Sequence, residues 1–288
     1  YGNVSPAFRI PFLQHSILPV FRHAIPPFSR PAGAGLKLLF LGTGTSVGIP
    51  AIGCSCPVCL SGDPRNKRRR ASLYLQAAGL HLVVDTPPDF REQMLTFRVP
   101  RVDALLFTHP HADHLCGFDD IRRFNEIQES SVPAYGSPET LDAIQRFFHY
   151  VNRKPQSGVS YPRVSFKPVT GPFEIGAIRV TPLDVEHAQV RTFGYRFDAG
   201  GRALAYIPDC HILPDAALAA LKGLDVMILD GLRPAPHPTH LTVAQSTALL
   251  RRIGARQSFL THIAHQVEHA AVQAALPPGI DLPYDGLE

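Results

Sequence analysis

Apolar and polar positions change their rhythm near residue 35 of this chain. Before it, Pro6, Pro11, Pro19, Pro26, Pro27 and Pro31 interrupt every apolar run. A regular helix and a signal-peptide core are both incompatible with that spacing. Residues 1–35 are therefore read as a poorly ordered, Pro-rich extension, which Phe8, Phe12, Phe21 and Phe28 could anchor on a surface. After Gly35 the pattern becomes regular, and residues 36–288 are read as one domain. The apolar run 36–41, ended by Gly42-Thr43-Gly44-Thr45, predicts a buried strand and a tight turn. Segments 72–76 and 81–85 flank Ala78-Gly79 as a hairpin. A short helix is expected over 88–96, then a strand over 102–107 that runs directly into Thr108-His109.

Downstream, helices are expected over 117–125 and 138–150, the second with Ser137 as its N-cap. Strands follow near 164–168, 177–183, 193–198, 203–207 and 225–230, with 198–202 as a second hairpin turn. Helices over 214–222, 242–253 and 266–275 alternate with a strand at 256–261. Two strand-rich halves with helices between them predict an α/β (α+β) fold, two packed sheets in four-layer αββα order.

Composition bounds this picture. The 288 residues are 45% hydrophobic and 18% charged, enough to bury a core. No run approaches the ~18 apolar residues that a membrane helix needs. A net charge of +4 suits an anionic substrate. It does not by itself point to nucleic acid, which stays open as a partner. Five cysteines, three of them between 54 and 59, fit a secreted disulfide framework poorly. They fit a reducing cytoplasm, with clustered thiols holding metal.

The chemistry concentrates in Thr108-His109-Pro110-His111-Ala112-Asp113-His114, four ligand-type side chains within six residues, directly after an apolar strand. A polar turn with incidental histidines is a poor account of that density. His109 with His111 can meet at one cation, Asp113 with His114 at a second, and imidazole with carboxylate suits zinc, manganese or iron.

This segment resembles the signature of the metallo-β-lactamase superfamily, His-x-His-x-Asp-His after a strand. The resemblance implies three further ligands at strand ends, and His187, Asp209 and His262 stand there in the expected order. It assigns His109, His111 and His187 to one metal, Asp113, His114 and His262 to the other, and Asp209 as the bridge. Such a bridging aspartate belongs to the phosphodiesterase and thioester-hydrolysing branches, and histidine at 111 speaks against the di-iron oxidoreductases. Hydrolysis is the expected reaction.

Cys54-Ser-Cys56-Pro-Val-Cys59 forms a second metal signal. Three thiolates on a turn leave tetrahedral zinc one ligand short, and His265, three residues after His262, is the choice for the fourth. With Leu41–Pro50 before it, Asp63-Pro-Arg-Asn66 after it, Thr261-His-Ile-Ala-His-Gln266, and the closing Tyr284-Asp-Gly-Leu-Glu288, this knuckle is similar to that of the PhnP-type phosphoribosyl cyclic phosphodiesterases. The likeness runs from about residue 37 onward. A related knuckle occurs in the pyrroloquinoline-quinone biosynthesis branch, so the knuckle alone does not name a substrate.

The resemblance implies a small cyclic phosphodiester as substrate, of the phosphoribosyl 1,2-cyclic phosphate or 2′,3′-cyclic nucleotide type. It implies two catalytic divalent metals, manganese or zinc with iron as a further candidate, one structural zinc, and a homodimer. A water bridging the two cations becomes the hydroxide that attacks phosphorus, with Asp113 among the catalytic residues. His240 matches an additional active-site histidine and is read as general acid or phosphate ligand, with His237 as competitor and a solvent-exposed helix-entry histidine as the alternative. The basic run 65–70 is read as a solvated loop at least as readily as a phosphate or RNA patch, with 63–66 ordering the loop. Cys116 and Cys210 are read as buried filler. Pro87 stands where relatives usually carry glycine and stiffens its loop. Two other functions compete: an RNA-processing nuclease of the tRNase Z type, which would need a long basic arm, and a non-catalytic metal or cofactor carrier.

Overall fold

A computed structural model describes residues 35–154 and 159–288. The expectation for the Pro-rich segment falls, save for Gly35, outside the described residues. Strands β1 (Lys37–Gly42), β2 (Ser72–Ala77), β3 (Leu80–Val84), β4 (Ala104–Leu106), β5 (Val132–Gly136) and β6 (Val164–Pro168) lie side by side in that order. The second sheet runs β7 (Phe173–Ile175), β8 (Ile178–His187), β9 (Val190–Ala199), β10 (Arg202–Ile207), β11 (Val226–Asp230), β12 (Gln257–Thr261) and β13 (Ile280–Asp281). Both sheets are mixed: β1–β2–β3 and β7–β8–β9–β10 pair antiparallel, and the remaining neighbours pair parallel.

Alternation along β1 explains the layering. Phe40 points between the sheets, where it packs with Leu73, Val84, Val180, Phe197 and Tyr206. Leu39 and Leu41 point the other way, against Phe90, Phe118, Ile121 and Leu141 of the covering helices. The opposite face of the second sheet buries Ala205, Ile207, Met227, Leu229 and Leu260 against the helices Asp215–Ala220, Val243–Ile253 and His269–Ala275. A strand buried on both faces reads as a continuous apolar run, which is why 36–41 shows no alternation in sequence. The four layers are helix, sheet, sheet, helix, the metallo-β-lactamase fold.

Both predicted hairpins form, with left-handed backbone at Ala78 and Gly79 and at Gly200 and Gly201, as a two-residue turn between right-twisted strands requires. Ser137 caps the helix Pro138–Phe147 by accepting from the Thr140 amide at 3.1 Å. Other expectations need correction. The helix expected over 117–125 is a 3₁₀ turn (Phe118–Asp120) followed by the helix Ile121–Gln128. Strand β5 was not anticipated because Pro133 breaks its pattern; its ladder with β4 starts only at Ala134, so the proline stands at the strand's beginning. The strands expected at 177–183 and 193–198 each extend to ten residues. Cys116, expected to be buried, caps the short helix Ala112–Leu115 and faces solvent, whereas Cys210 is buried as expected. Among the described residues no helix is long and apolar enough to cross a membrane.

Candidate metal centre

The functional side chains sit where strands end. The segment after β4 carries His109 and then His111, the latter in extended backbone, and the short helix Ala112–Leu115 turns Asp113 and His114 back toward them. His187 is the last residue of β8, Asp209 follows β10, and His262 follows β12. Chain segments as far apart as residues 109 and 262 thus converge at one edge of the two sheets.

Two donor sets result. His109 Nε2 lies 2.9 Å from His111 Nδ1, and His187 Nε2 lies 3.3 Å from that same Nδ1. Asp209 Oδ2 is 3.7 Å from His109 Nε2 and 3.4 Å from His187 Nε2. The other oxygen, Oδ1, is 3.3 Å from His114 Nε2 and 3.5 Å from His262 Nε2, and Asp113 Oδ2 completes this set at 3.4 and 3.5 Å from the two rings. Ligands about 2.1 Å from one cation at tetrahedral angles lie about 3.4 Å apart, so both sets have the spacing of a metal site. His114 Nε2 and Asp209 Oδ1 are buried and have no hydrogen-bond partner among the described residues. Buried polar atoms are normally paired, and a cation between them supplies what they lack.

Electrostatics agree at most of the donors; His114 is the exception, its pKa lifted despite burial by Asp209, Asp113 and Asp85, so that a cation has to displace its Nε2 proton. Burial alone would push Asp209 up, but His262, His114 and His109 around it hold its carboxyl well below the usual range, and His114 and His262 do the same for Asp113. Burial pushes His109 and His187 down, leaving neutral imidazoles with lone pairs to donate.

Partners behind the cluster orient it. Asp85, fully buried, accepts from His114 Nδ1 and Thr108 Oγ1, each at 2.8 Å. His187 Nδ1 donates to the Thr239 carbonyl at 2.8 Å. Asp230, also fully buried, accepts from His240 Nδ1 at 2.8 Å and from the Cys210 amide at 3.0 Å. Burial drives Asp230 up and His240 down, so this pair avoids separated charge. His240 is buried rather than exposed at a helix entry. Its ring stacks on His262 with centroids 4.8 Å apart and meets His187 at 4.6 Å. His237 stands behind it, with rings 5.0 Å apart, and receives a hydrogen bond from the Thr239 amide. Sequence reasoning missed Asp85 and Asp230. Both follow apolar strand residues, the same placement as the ligands, and that was the available signal.

The second cluster also assembles. His265 Nδ1 lies 3.2, 3.5 and 3.6 Å from the sulfurs of Cys54, Cys56 and Cys59. Zinc with thiolates at about 2.3 Å and imidazole at about 2.0 Å places sulfur and nitrogen about 3.5 Å apart. Hydrogen bonding to the Cys59 amide leads the effects that bring the Cys56 thiol down to about 6, toward the thiolate a metal needs.

The basic run is neither a solvated loop nor a free anion patch. Arg68 is 2% exposed, and its guanidinium donates to Thr43 Oγ1, the Pro283 carbonyl and His269 Nδ1. Arg70 pairs with Asp89, Arg65 with Asp63, and Lys67 reaches the Cys59 carbonyl.

Comparison with known proteins follows the same lines. Residues 81–263, which contain all seven His and Asp donors, match the family described as the beta-lactamase superfamily domain. A solved diphosphatase of the PhnP family is 37% identical, with a TM-score of 0.81 over 88% of this chain and 96% of that one. An octanoyltransferase of Porphyromonas gingivalis is 35% identical over 257 residues, 88% of this chain and 51% of the relative, so the chain spans about half that protein's length. A coenzyme PQQ synthesis protein B of Methylobacterium nodulans is 27% identical over 221 residues, 68% of this chain and 73% of the relative.

Proposed function

This chain belongs to the metallo-β-lactamase superfamily and, within it, to the PhnP family, and we propose that its His/Asp pocket hydrolyses a cyclic phosphodiester of ribose or of a 2′,3′-cyclic nucleotide. The observation that supports this most is Asp209, whose two oxygens face two separate donor sets. His109, His111 and His187 would hold one divalent cation, Asp113, His114 and His262 the other, and Asp209 both. Bound there, the cations supply Lewis acidity to water and to the phosphoryl oxygens.

The chain's own residues account for the rest. Asp85 and the Thr239 carbonyl fix the tautomers of His114 and His187, so that each presents Nε2 to the pocket. Asp230 accepts the Nδ1–H hydrogen bond of His240 and leaves Nε2 as the nitrogen facing the cluster. A leaving ribose oxygen needs a proton as its bond to phosphorus breaks; His240 Nε2, unprotonated at rest, is placed to take the proton that the attacking water gives up and to pass it to that oxygen. No side-chain nucleophile is needed, which suits a buried Cys210 whose thiol burial pushes far up.

A second reading, hydrolysis of a phosphoanhydride, is favoured by the 37% identical relative, which is a diphosphatase. Chain reconstituted with manganese and given 2′,3′-cyclic AMP, ADP, bis(p-nitrophenyl) phosphate and a precursor tRNA separates these readings. The cyclic nucleotide should turn over fastest, and Asp209→Ala should leave less than about 1% of that rate. Fastest turnover of ADP would move the assignment to diphosphatase, and cleavage of the tRNA alone would move it to RNA processing. No turnover of any phosphorus ester would leave the carrier reading.

A further inference from the structure

We propose that the cysteine knuckle positions His262 and thereby sets the affinity of the second catalytic metal position, that of Asp113, His114 and His262; the inference rests on the two-metal reading of the pocket. Three observations lead there.

The first is what His262 lacks. A metal-ligating histidine is normally aimed by a hydrogen bond from its other ring nitrogen. His109 has Thr108 Oγ1 at 3.0 Å, His114 has Asp85, and His187 has the Thr239 carbonyl. His262 Nδ1 is buried with no partner among the described residues. Behind the pocket its ring is held by stacking on His240 and His114 and by its own backbone, while Nε2 faces Asp113 and Asp209 at 3.5 Å.

The second is the state of that backbone. His262 has φ 57°, strained left-handed geometry that a side-chain-bearing residue keeps only where its surroundings impose it. The surroundings are the glycine-rich loop after β1. Ile263 donates to the Thr43 carbonyl at 2.9 Å and accepts from the Thr45 amide at 3.0 Å. Ala264 donates to the Leu232 carbonyl at 2.8 Å.

The third is the origin of the restraint on the far side. The same loop continues to Cys54, Cys56 and Cys59, whose sulfurs converge on His265. Residues 262–265 are therefore gripped twice by one stretch of chain, at 263 through backbone hydrogen bonds and at 265 through the thiol cluster. A zinc there would turn the second grip into a rigid tie three residues from the catalytic ligand. The first metal position draws on His109, His111, His187 and Asp209, none of them in this segment, so the effect should be selective.

The test is a calorimetric titration of Mn²⁺ into zinc-loaded chain whose catalytic pocket has been emptied. Manganese prefers nitrogen and oxygen and leaves the thiolates to zinc. Wild type should take two equivalents. Cys56→Ser and His265→Ala should keep the first with unchanged affinity and bind the second at least about ten-fold more weakly, the size of effect known for residues that orient a ligand. His265→Ala leaves all three thiolates for zinc and cuts only the tie, so it carries the test if Cys56→Ser does not fold. His265→Cys, which keeps a four-ligand site, should restore the second equivalent. Unchanged binding in both variants, or equal weakening at both positions in a folded variant, would overturn the inference alone. A wild-type chain that takes up no pair would overturn it together with the two-metal reading.

Discussion

At the scale of single residues, the arrangement around His240 makes the most specific demand. If its role is to protonate a leaving alkoxide, His240→Gln should lower kcat on 2′,3′-cyclic AMP by about 10²–10⁴-fold with little change in KM. The loss should shrink to about ten-fold or less on bis(p-nitrophenyl) phosphate, whose leaving group departs without a proton. Equal losses on both substrates would instead mark His240 as a phosphate or metal ligand. A second residue-scale prediction concerns His269, which accepts from the always-charged Arg68 at Nδ1 and is therefore neutral in the fold. Burial, with Arg68 and Arg65 nearby, lowers its pKa to about 4. An unfolded histidine binds its proton near pH 6.5, so between about 6.5 and 4 the unfolded chain gains a proton that the folded chain refuses. Stability should fall as pH drops through that window and be unaffected by this group above it. His269→Asn keeps an acceptor for Arg68 and removes the titration, and thermal melts at pH 7 and pH 5 should differ less for it than for wild type. Of the seven pocket donors, four were named by one crowded motif and three by the family resemblance, and the fold groups all seven. Asp85 and Asp230 stand at strand ends too, but as single acids outside any motif, and the folded geometry is what assigns them a role.

At the scale of elements, the stretch from β1 through the knuckle does the most positioning. Gly42 shows how closely it is packed, since a Cβ there would lie 2.0 Å from the Arg70 carbonyl and 2.9 Å from that of Arg69. Both obstacles are backbone and cannot rotate away. Gly42→Ala should destabilise the chain by about 3 kcal/mol, the upper end for overpacking, as read by denaturant unfolding. A wild-type-like midpoint would show the loop to be looser than described. Element boundaries were readable where hairpin chemistry or a cap marked them, as at Ala78-Gly79 and Ser137. They were not where irregular backbone serves the site: Asp113 and His114 ride on a single helical turn that no periodicity announces, and the basic run 65–70 looks solvated until the fold supplies Asp63, Asp89, Asp285 and His269 as partners.

At the scale of the whole molecule, the fold is two sheets back to back whose strand ends share one edge, and the site exists only because that edge is assembled. The αββα order was readable from strand-rich halves with interleaved helices. The pairing order was not, since β10, β11 and β12 are joined by parallel crossovers that sequence does not register. A site built from so many segments should stabilise the fold when filled. Manganese at about 100 times its Kd contributes about 2.7 kcal/mol per position, so chelation should lower Tm by about 5–10 °C for one position. The central claim, two cations flanking Asp209 and a third in the knuckle, is tested most directly by anomalous scattering from crystals of the chain grown with zinc and soaked in manganese. Two manganese peaks on either side of the Asp209 carboxylate and one zinc peak among Cys54, Cys56, Cys59 and His265 are the expected result. A single peak in the pocket, or His187, Asp209 or His262 turned away from it, would contradict the account.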